Sequence, residues 1–241
     1  MKNKLYKLNT LQLKTIATFL MLIDHIAYTL IPQSETIYWI MRIVGRIAAP
    51  LFWFCFVEGY RYTRDRVKYI ARLAVASAVM MLGNSTIHTI VGHSFDVGLM
   101  QPNMFMTMLL MAIIIEFVES AIQLLKDRNQ FEGLICALIS ISLGIAVGLY
   151  AEYGWIALFS ISILYFIKNK PLRYIAFACI NLILCIWQSS FVQVFMIASI
   201  PLMLLYNNEK PKRSAKWFFY VFYPTHLWAL MIMATFIGHN S

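Results

Sequence analysis

The sequence predicts an all-α, polytopic integral membrane protein with about nine transmembrane helices, and three observations carry that prediction. Hydrophobic residues make up 61% of the 241 positions and charged residues only 13%, against about 25% charged in ordinary globular domains. Mean hydropathy is +0.69, and a soluble domain of this length lacks the interior to hide so much apolar surface. The apolar residues also fall into runs of membrane-spanning length, with the basic residues gathered in alternate connections between them. Disorder is excluded, because its signature is low hydrophobicity with high net charge. The runs are too long for the strands of a membrane barrel.

Nine runs have the roughly 17–25 residues that a transmembrane helix needs. The first, 11–31, follows Lys2, Lys4 and Lys7; it is long enough to span and ends without a small-x-small cleavage site, unlike a signal peptide. The second, 37–60, follows the short connection 32–36 and carries Arg42 and Arg46. Between it and the third, 67–83, stand Arg61, Arg64, Arg66, Lys68 and Arg72. The external loop 84–103 is the one long connection and holds His88, His93 and Asp96. The fourth run, 104–125, is followed by Lys126 and Arg128; the fifth is 131–149; the sixth, 152–168, is followed by Lys168, Lys170 and Arg173. The seventh and eighth are 171–188 and 190–206, and Lys210, Lys212, Arg213 and Lys216 precede the ninth, 216–237.

The connections 32–36, 84–103, 150–151, 189 and the tail from Gly238 contain no lysine or arginine. The positive-inside rule therefore places the N-terminus (1–10) in the cytoplasm and the C-terminus outside a cell membrane. The formal charge of +9 is explained by these loops and calls for no nucleic-acid partner. No repeat or long linker divides the chain, so residues 1–241 are expected to form a single transmembrane domain. Cys55, Cys136, Cys179 and Cys185 are scattered in apolar runs without a CxxC pair, which excludes a disulfide scaffold. The spacing of His88, His93 and Asp96 matches no familiar zinc pattern, and no metal is expected. A Walker loop, GxGxxG and HExxH are absent, which argues against an NTP-driven pump and a helix-borne zinc protease.

Function is to be sought among residues that are costly inside a bilayer. A charge near its centre costs at least ~2.5–3.5 kcal/mol. Arg42 and Arg46 are four residues apart and share a helix face, with the small residues Gly45 and Ala49 on or beside it. Asp24 and His25 lie about 10–12 Å below the external end of the first span, and the arginines about 8–14 Å below that of the second. An antiparallel pair of spans puts all four in one layer. Lys14, Thr18, His25 and Thr29 form a polar stripe on the first span, facing the bundle. Two readings stand: an Asp24–Arg46 ion pair that fixes packing, or a catalytic layer. In the second, His25 is the proton acceptor and the guanidiniums stabilise developing negative charge. His226, in the ninth span beside the helix-bending Pro224, shares a side with Tyr223 and is the other candidate. Glu58, Glu116 and Glu119 read as interfacial, with Glu58 the best exception.

Several blocks carry a resemblance to a known family. They are Lys14-x-x-Ala17-x-x-x-Met21-x-x-Asp24-His25, Gly45-Arg46-Ile47-Ala48-Ala49-Pro50-Leu51-Phe52, Glu58-Gly59-Tyr60-x-x-Thr63-Arg64 and Tyr69-x-x-Arg72-Leu73. Asn103, Tyr153-Gly154 and Phe219-Tyr220-x-Phe222-Tyr223-Pro224-x-His226-Leu227 continue the series. In order and content the chain resembles the TraX family of membrane proteins, with Glu152 where family members tend to have Asp. The resemblance implies acetyltransferase activity, since the founding member is associated with N-terminal acetylation of conjugative pilin. It also implies a distant likeness to membrane acyltransferases that use an intramembrane histidine, matched here by His25 or His226.

The function expected is transfer of an acetyl group from cytoplasmic acetyl-CoA, as co-substrate, to an amine or hydroxyl of an external acceptor: a pilin-like protein, a peptide or a glycan. The catalytic candidates are His25, Asp24, Arg46, Arg42, His226 and Tyr223. Arg61, Arg64, Arg66, Lys212 and Arg213 are the candidates for the nucleotide end of the donor. The alternatives are a transporter or flippase of a small anionic or acylated molecule, and a non-catalytic partner in pilus or conjugation assembly.

Overall fold

The computed structural model describes residues 8–91, 103–209 and 215–237. They form ten α-helices and one 3₁₀ segment: α1 (Thr10–Leu30), α2 (Thr36–Gly45), α3 (Ala48–Arg61), α4 (Arg66–Val91), α5 (Met104–Lys126), α6 (Gln130–Tyr150), α7 (Gly154–Phe166), α8 (Lys170–Trp187), the 3₁₀ segment Phe191–Ser199, α9 (Ile200–Leu204) and α10 (Lys216–Ile237). Counting α2 with α3 and the 3₁₀ segment with α9, these are nine helical passages among the described residues. Seven of them are long and apolar enough to cross a membrane, while Gly154–Phe166 and Phe191–Leu204 are shorter. The fold is that of a multi-pass helical membrane protein.

Local chemistry sets the boundaries. Asn9 caps α1 in a reciprocal box with Gln12, its Oδ1 accepting the Gln12 N–H at 3.0 Å. Asp65 caps α4 by accepting the Lys68 N–H at 2.9 Å, and that bond together with the Lys68 ammonium holds its exposed carboxyl below the usual range. Asn103 and Asn169 cap α5 and α8 in the same manner. The second span, expected as one run over 37–60, is interrupted at Arg46 and Ile47. Pro50 has no N–H to offer the carbonyl of Arg46 four residues before it, so the helix tightens there. Pro201 does the same to Ile197, whose carbonyl instead accepts the N–H of Ile200 in a three-residue turn.

The connection expected over 84–103 is shorter at its start, because α4 continues to Val91. Its polar residues suit a helix: the Thr86 and Thr89 hydroxyls donate to the carbonyls of Leu82 and Ser85, one turn back. Asn84 is buried, accepting the indole N–H of Trp228 from α10 at 3.0 Å, and Gly83 leaves the space that the Trp228 ring fills. His93 and Asp96 lie outside the described residues, and so does the side chain of His88.

Helix α3 is the axis of the bundle, with Leu51, Trp53, Phe54, Cys55, Phe56, Val57 and Tyr60 all buried. It touches α1, α5, α7 and the 191–204 passage. Helix α1 packs against α2, α3 and α10, and α4 against α5 and α10. Outward faces such as Leu138, Ile141, Ile145 and Leu149 of α6 are apolar and exposed, as lipid contact requires. Leu8 and Tyr206 form an isolated bridge, so the lead into α1 is bound to the chain just past α9.

Candidate functional site

Helix α1 supplies one wall of the site. Its residues at spacings of four, three and four (Lys14, Thr18, Met21, His25) keep to one side of the helix. That side lines a cavity of about 170 Å³ from Lys14 to Met21, bounded by Phe52 and Phe56 of α3, Tyr69 and Arg72 of α4, Met104, Phe105 and Met108 of α5, and Phe219, Tyr220, Phe222 and Tyr223 of α10. A smaller space continues it, sharing Met21, Phe52, Met104 and Tyr223 and reaching Asp24, His25, Gly45, Glu152 and Tyr153. The larger cavity lies near the first turns of α1, α4 and α10, the basic end of the bundle, and the small space beside it lies at the polar layer.

In that layer Asp24 holds two cations on one oxygen. Arg42 donates to its Oδ2 at 2.8 Å and Arg46 donates to the same atom. Arg46 and Asp24 are nearly fully buried, whereas Arg42 is partly exposed. The break before α3 places Arg46 at the foot of α2, and Gly45 permits the approach, since a Cβ there would overlap the Asp24 side chain. The arginines also lie over aromatic faces, Arg46 on Tyr153 at 5.5 Å and Arg42 on Tyr28 at 5.1 Å. Asp24 Oδ1 and Arg46 Nε have no hydrogen-bond partner among the described residues.

The two histidines meet. His25 Nδ1 lies 2.8 Å from His226 Nε2, with the rings stacked at 5.1 Å. His226 Nδ1 lies 2.7 Å from the carbonyl oxygen of Phe222. A carbonyl only accepts, so the bonding pattern assigns the His226 proton to Nδ1. In the neutral pair, Nε2 of His226 then accepts from Nδ1–H of His25. The lone pair of His25 is left on Nε2. Tyr223 flanks both rings; its hydroxyl accepts the Met104 N–H at 3.3 Å and lies 3.4 Å from Glu152 Oε2.

Of the residues expected to hold a nucleotide, Arg61 and Arg66 bond to other helices of the bundle. Arg61 donates to Glu58 at 3.0 Å and to the carbonyls of Leu164 and Tyr165, tying α3 to α7. Arg66 joins Glu116 and Glu119 of α5 at 2.8 and 2.5 Å. Arg64 is exposed, and Lys212 and Arg213 lie outside the described residues. The cations on the cavity wall are Lys14 and Arg72. The polar stripe of the first span was the signal for Lys14; Arg72 carries none beyond its place in a basic cluster. Glu152 and Tyr153 join the layer because the left-handed turn at Tyr153 (φ 61°) and Gly154 (φ 44°) folds the α6–α7 connection inward.

Nine helical passages around a buried carboxylate, two guanidiniums and a histidine pair define a polytopic α-helical membrane protein with a polar layer inside its bundle. The chain belongs to the TraX family: the family model described as TraX protein matches residues 9–234. It is similar to the "Probable fimbrial assembly protein FimC, serogroup H1" of Dichelobacter nodosus, at 25% identity over 233 residues, 90% of this chain and 91% of that protein. A shorter likeness, 50% over 50 residues, links 21% of this chain with 18% of the "Uncharacterized protein RP591" of Rickettsia prowazekii (strain Madrid E). No solved structure matches.

Proposed function

We propose that this protein is a membrane-embedded acetyltransferase that uses acetyl-CoA from the cytoplasm and an acceptor from the external side. The observation that carries this reading is the His25–His226 contact at the small space beside the α1-lined cavity, which leaves a basic nitrogen on His25. The basic end is the cytoplasmic face by the positive-inside rule. There Lys14 and Arg72 offer cations for the donor's phosphates, and Phe52, Phe56 and Phe105 give apolar walls for its pantetheine arm. From Lys14 to His25 is eleven residues of helix, about 16 Å, a span of the order of that arm extended.

The bound thioester supplies an activated acetyl carbon. His25 Nε2 takes the proton of the attacking amine or hydroxyl, and its new charge is shared through Nδ1–H with His226. Arg46 Nε has no hydrogen-bond partner among the described residues and is the donor available to the negative charge developing on the acetyl oxygen, while Asp24 and Glu152 balance the two guanidiniums. The proton then leaves on the departing thiol. The similarity to a probable fimbrial assembly protein supports an acceptor of the pilus class, a pilin-like subunit offering its N-terminal amine.

The test is acetylation of a pilin N-terminal peptide outside sealed proteoliposomes loaded with acetyl-CoA, read by mass spectrometry. The wild-type protein acetylates the peptide, and His25→Gln lowers turnover by about 10²–10⁴-fold. Wild-type protein that binds no acetyl-CoA and acetylates nothing refutes the reading. Passage of an intact anion across the bilayer without acetylation would instead mark a transporter.

A further inference from the structure

A second cavity opens at the basic end, on the other side of α3. It has a volume of about 310 Å³ and is lined by Phe54, Glu58 and Arg61 of α3, by Lys168, Lys170 and Arg173, and by Tyr206 and Asn208. Phe54 stands two residues from both Phe52 and Phe56, which line the first cavity. Two residues turn a helix by about 200°, so α3 separates the spaces. The two cavities share no lining residue.

The lining charge is unbalanced: four cations face one carboxylate. Glu58 is engaged at 3.0 Å by Arg61, whose other nitrogen is bound to the Leu164 and Tyr165 carbonyls. Arg173 is 5% exposed. Its Nε–H donates to the Ile167 carbonyl at 2.7 Å, and its Nη1 forms a long ion pair with Glu58 at 3.8 Å. Glu58 is thus shared by two guanidiniums, Arg61 and Arg173, which leaves their combined charge only half compensated by side chains. Lys168 and Lys170 stand exposed at the rim, where no other carboxylate lines the cavity among the described residues.

We propose that this cavity binds a phosphate group, contributed by the headgroup of an anionic phospholipid in the adjoining leaflet or by a soluble pyrophosphate-bearing molecule. The guanidinium fork matches phosphate oxygens, and basic pockets between membrane helices on the cytoplasmic side suit phosphorylated headgroups. The inference stands whether or not His25 transfers acetyl groups, because α3 isolates the cavity from that site.

The experiment measures binding to the purified full chain in neutral detergent, with thermal shift and native mass spectrometry as readouts. The probes are dihexanoyl phosphatidylglycerol, dihexanoyl phosphatidylcholine and inorganic pyrophosphate. Phosphatidylglycerol, pyrophosphate or both should bind and raise Tm, and phosphatidylcholine should not. Phosphatidylglycerol alone identifies a lipid source, pyrophosphate alone a soluble one, and both together the phosphate itself. Lys168→Gln/Lys170→Gln should weaken binding about tenfold, and Arg173→Gln further. The charge-matched Lys126→Gln/Arg128→Gln, outside the cavity, should bind as wild type. The proposal is overturned if neither anion binds, if phosphatidylcholine binds equally, or if the charge-matched control weakens binding as much as the lysine pair. Should Arg173→Gln fail to fold, the lysine pair decides alone.

Discussion

Asp24 anchors two guanidiniums through one oxygen, so its loss is a matter of folding before it is one of chemistry. Removing one partner of a buried pair costs about 3–5 kcal/mol, because the remaining charge is left uncompensated. Asp24→Asn should therefore give less monodisperse protein in detergent, and adding Arg46→Gln should restore much of it; size-exclusion profiles measure both. Recovery without activity would separate the packing role of the pair from its electrostatic one. In the proposed reaction His226 acts on the chemistry instead. It accepts the Nδ1–H of His25 at 2.8 Å and so fixes which nitrogen of His25 is basic. His226→Leu should lower kcat by at least about tenfold and leave KM for acetyl-CoA unchanged; a change confined to KM would show that His226 acts in binding. Asp24, Arg42 and Arg46 were legible in the sequence, because arginine and aspartate in an apolar run demand partners, whereas Glu152 enters the layer only through the turn between α6 and α7. The His25–His226 contact was not legible. The two residues are 201 positions apart, and only the packing of α1 on α10 joins them.

Pro50 connects sequence to site geometry at the level of the helix. Residues 37–60 read as one apolar run, and nothing in its hydropathy marks the break that places Arg46 beneath Asp24. The proline was visible, but its effect depends on whether the freed Arg46 carbonyl finds another donor, which is decided by tertiary packing. Pro50→Ala restores that donor and favours a continuous helix from α2 into α3. The variant should insert normally yet lose acetyl transfer, because Arg46 is displaced. In an Arg46→Gln background the same change should have little further effect, so a double-mutant cycle on the transfer rate tests the coupling. Independent, additive losses would detach Pro50 from Arg46. The extension of α4 has a similar origin: Asn84 and Thr86 look like loop residues until Trp228 and the Leu82 carbonyl take up their polar groups.

Across the whole molecule, sidedness decides whether the layer works as proposed. The backbone N–H of Asn207 donates to the Leu8 carbonyl at 2.9 Å, and Leu8 donates to Leu205 at 3.1 Å. The lead into α1 and the chain before α10 therefore lie on one face of the membrane. By the positive-inside rule the alternation of basic connections predicts that this face is the cytoplasmic one. Helix α10 then carries His226 into the bundle and ends on the other side. A reporter fused after Asn207 should read as cytoplasmic and one fused after Ser241 as external. The bridge sharpens the test, because cysteines placed at Leu8 and Asn207 should be protected together from an impermeant thiol reagent in intact cells, and be labelled together once the membrane is opened. Labelling of one without the other would break the bridge. Reporters on the same side would mean that α10 does not cross, and His226 could not stand in the layer with His25.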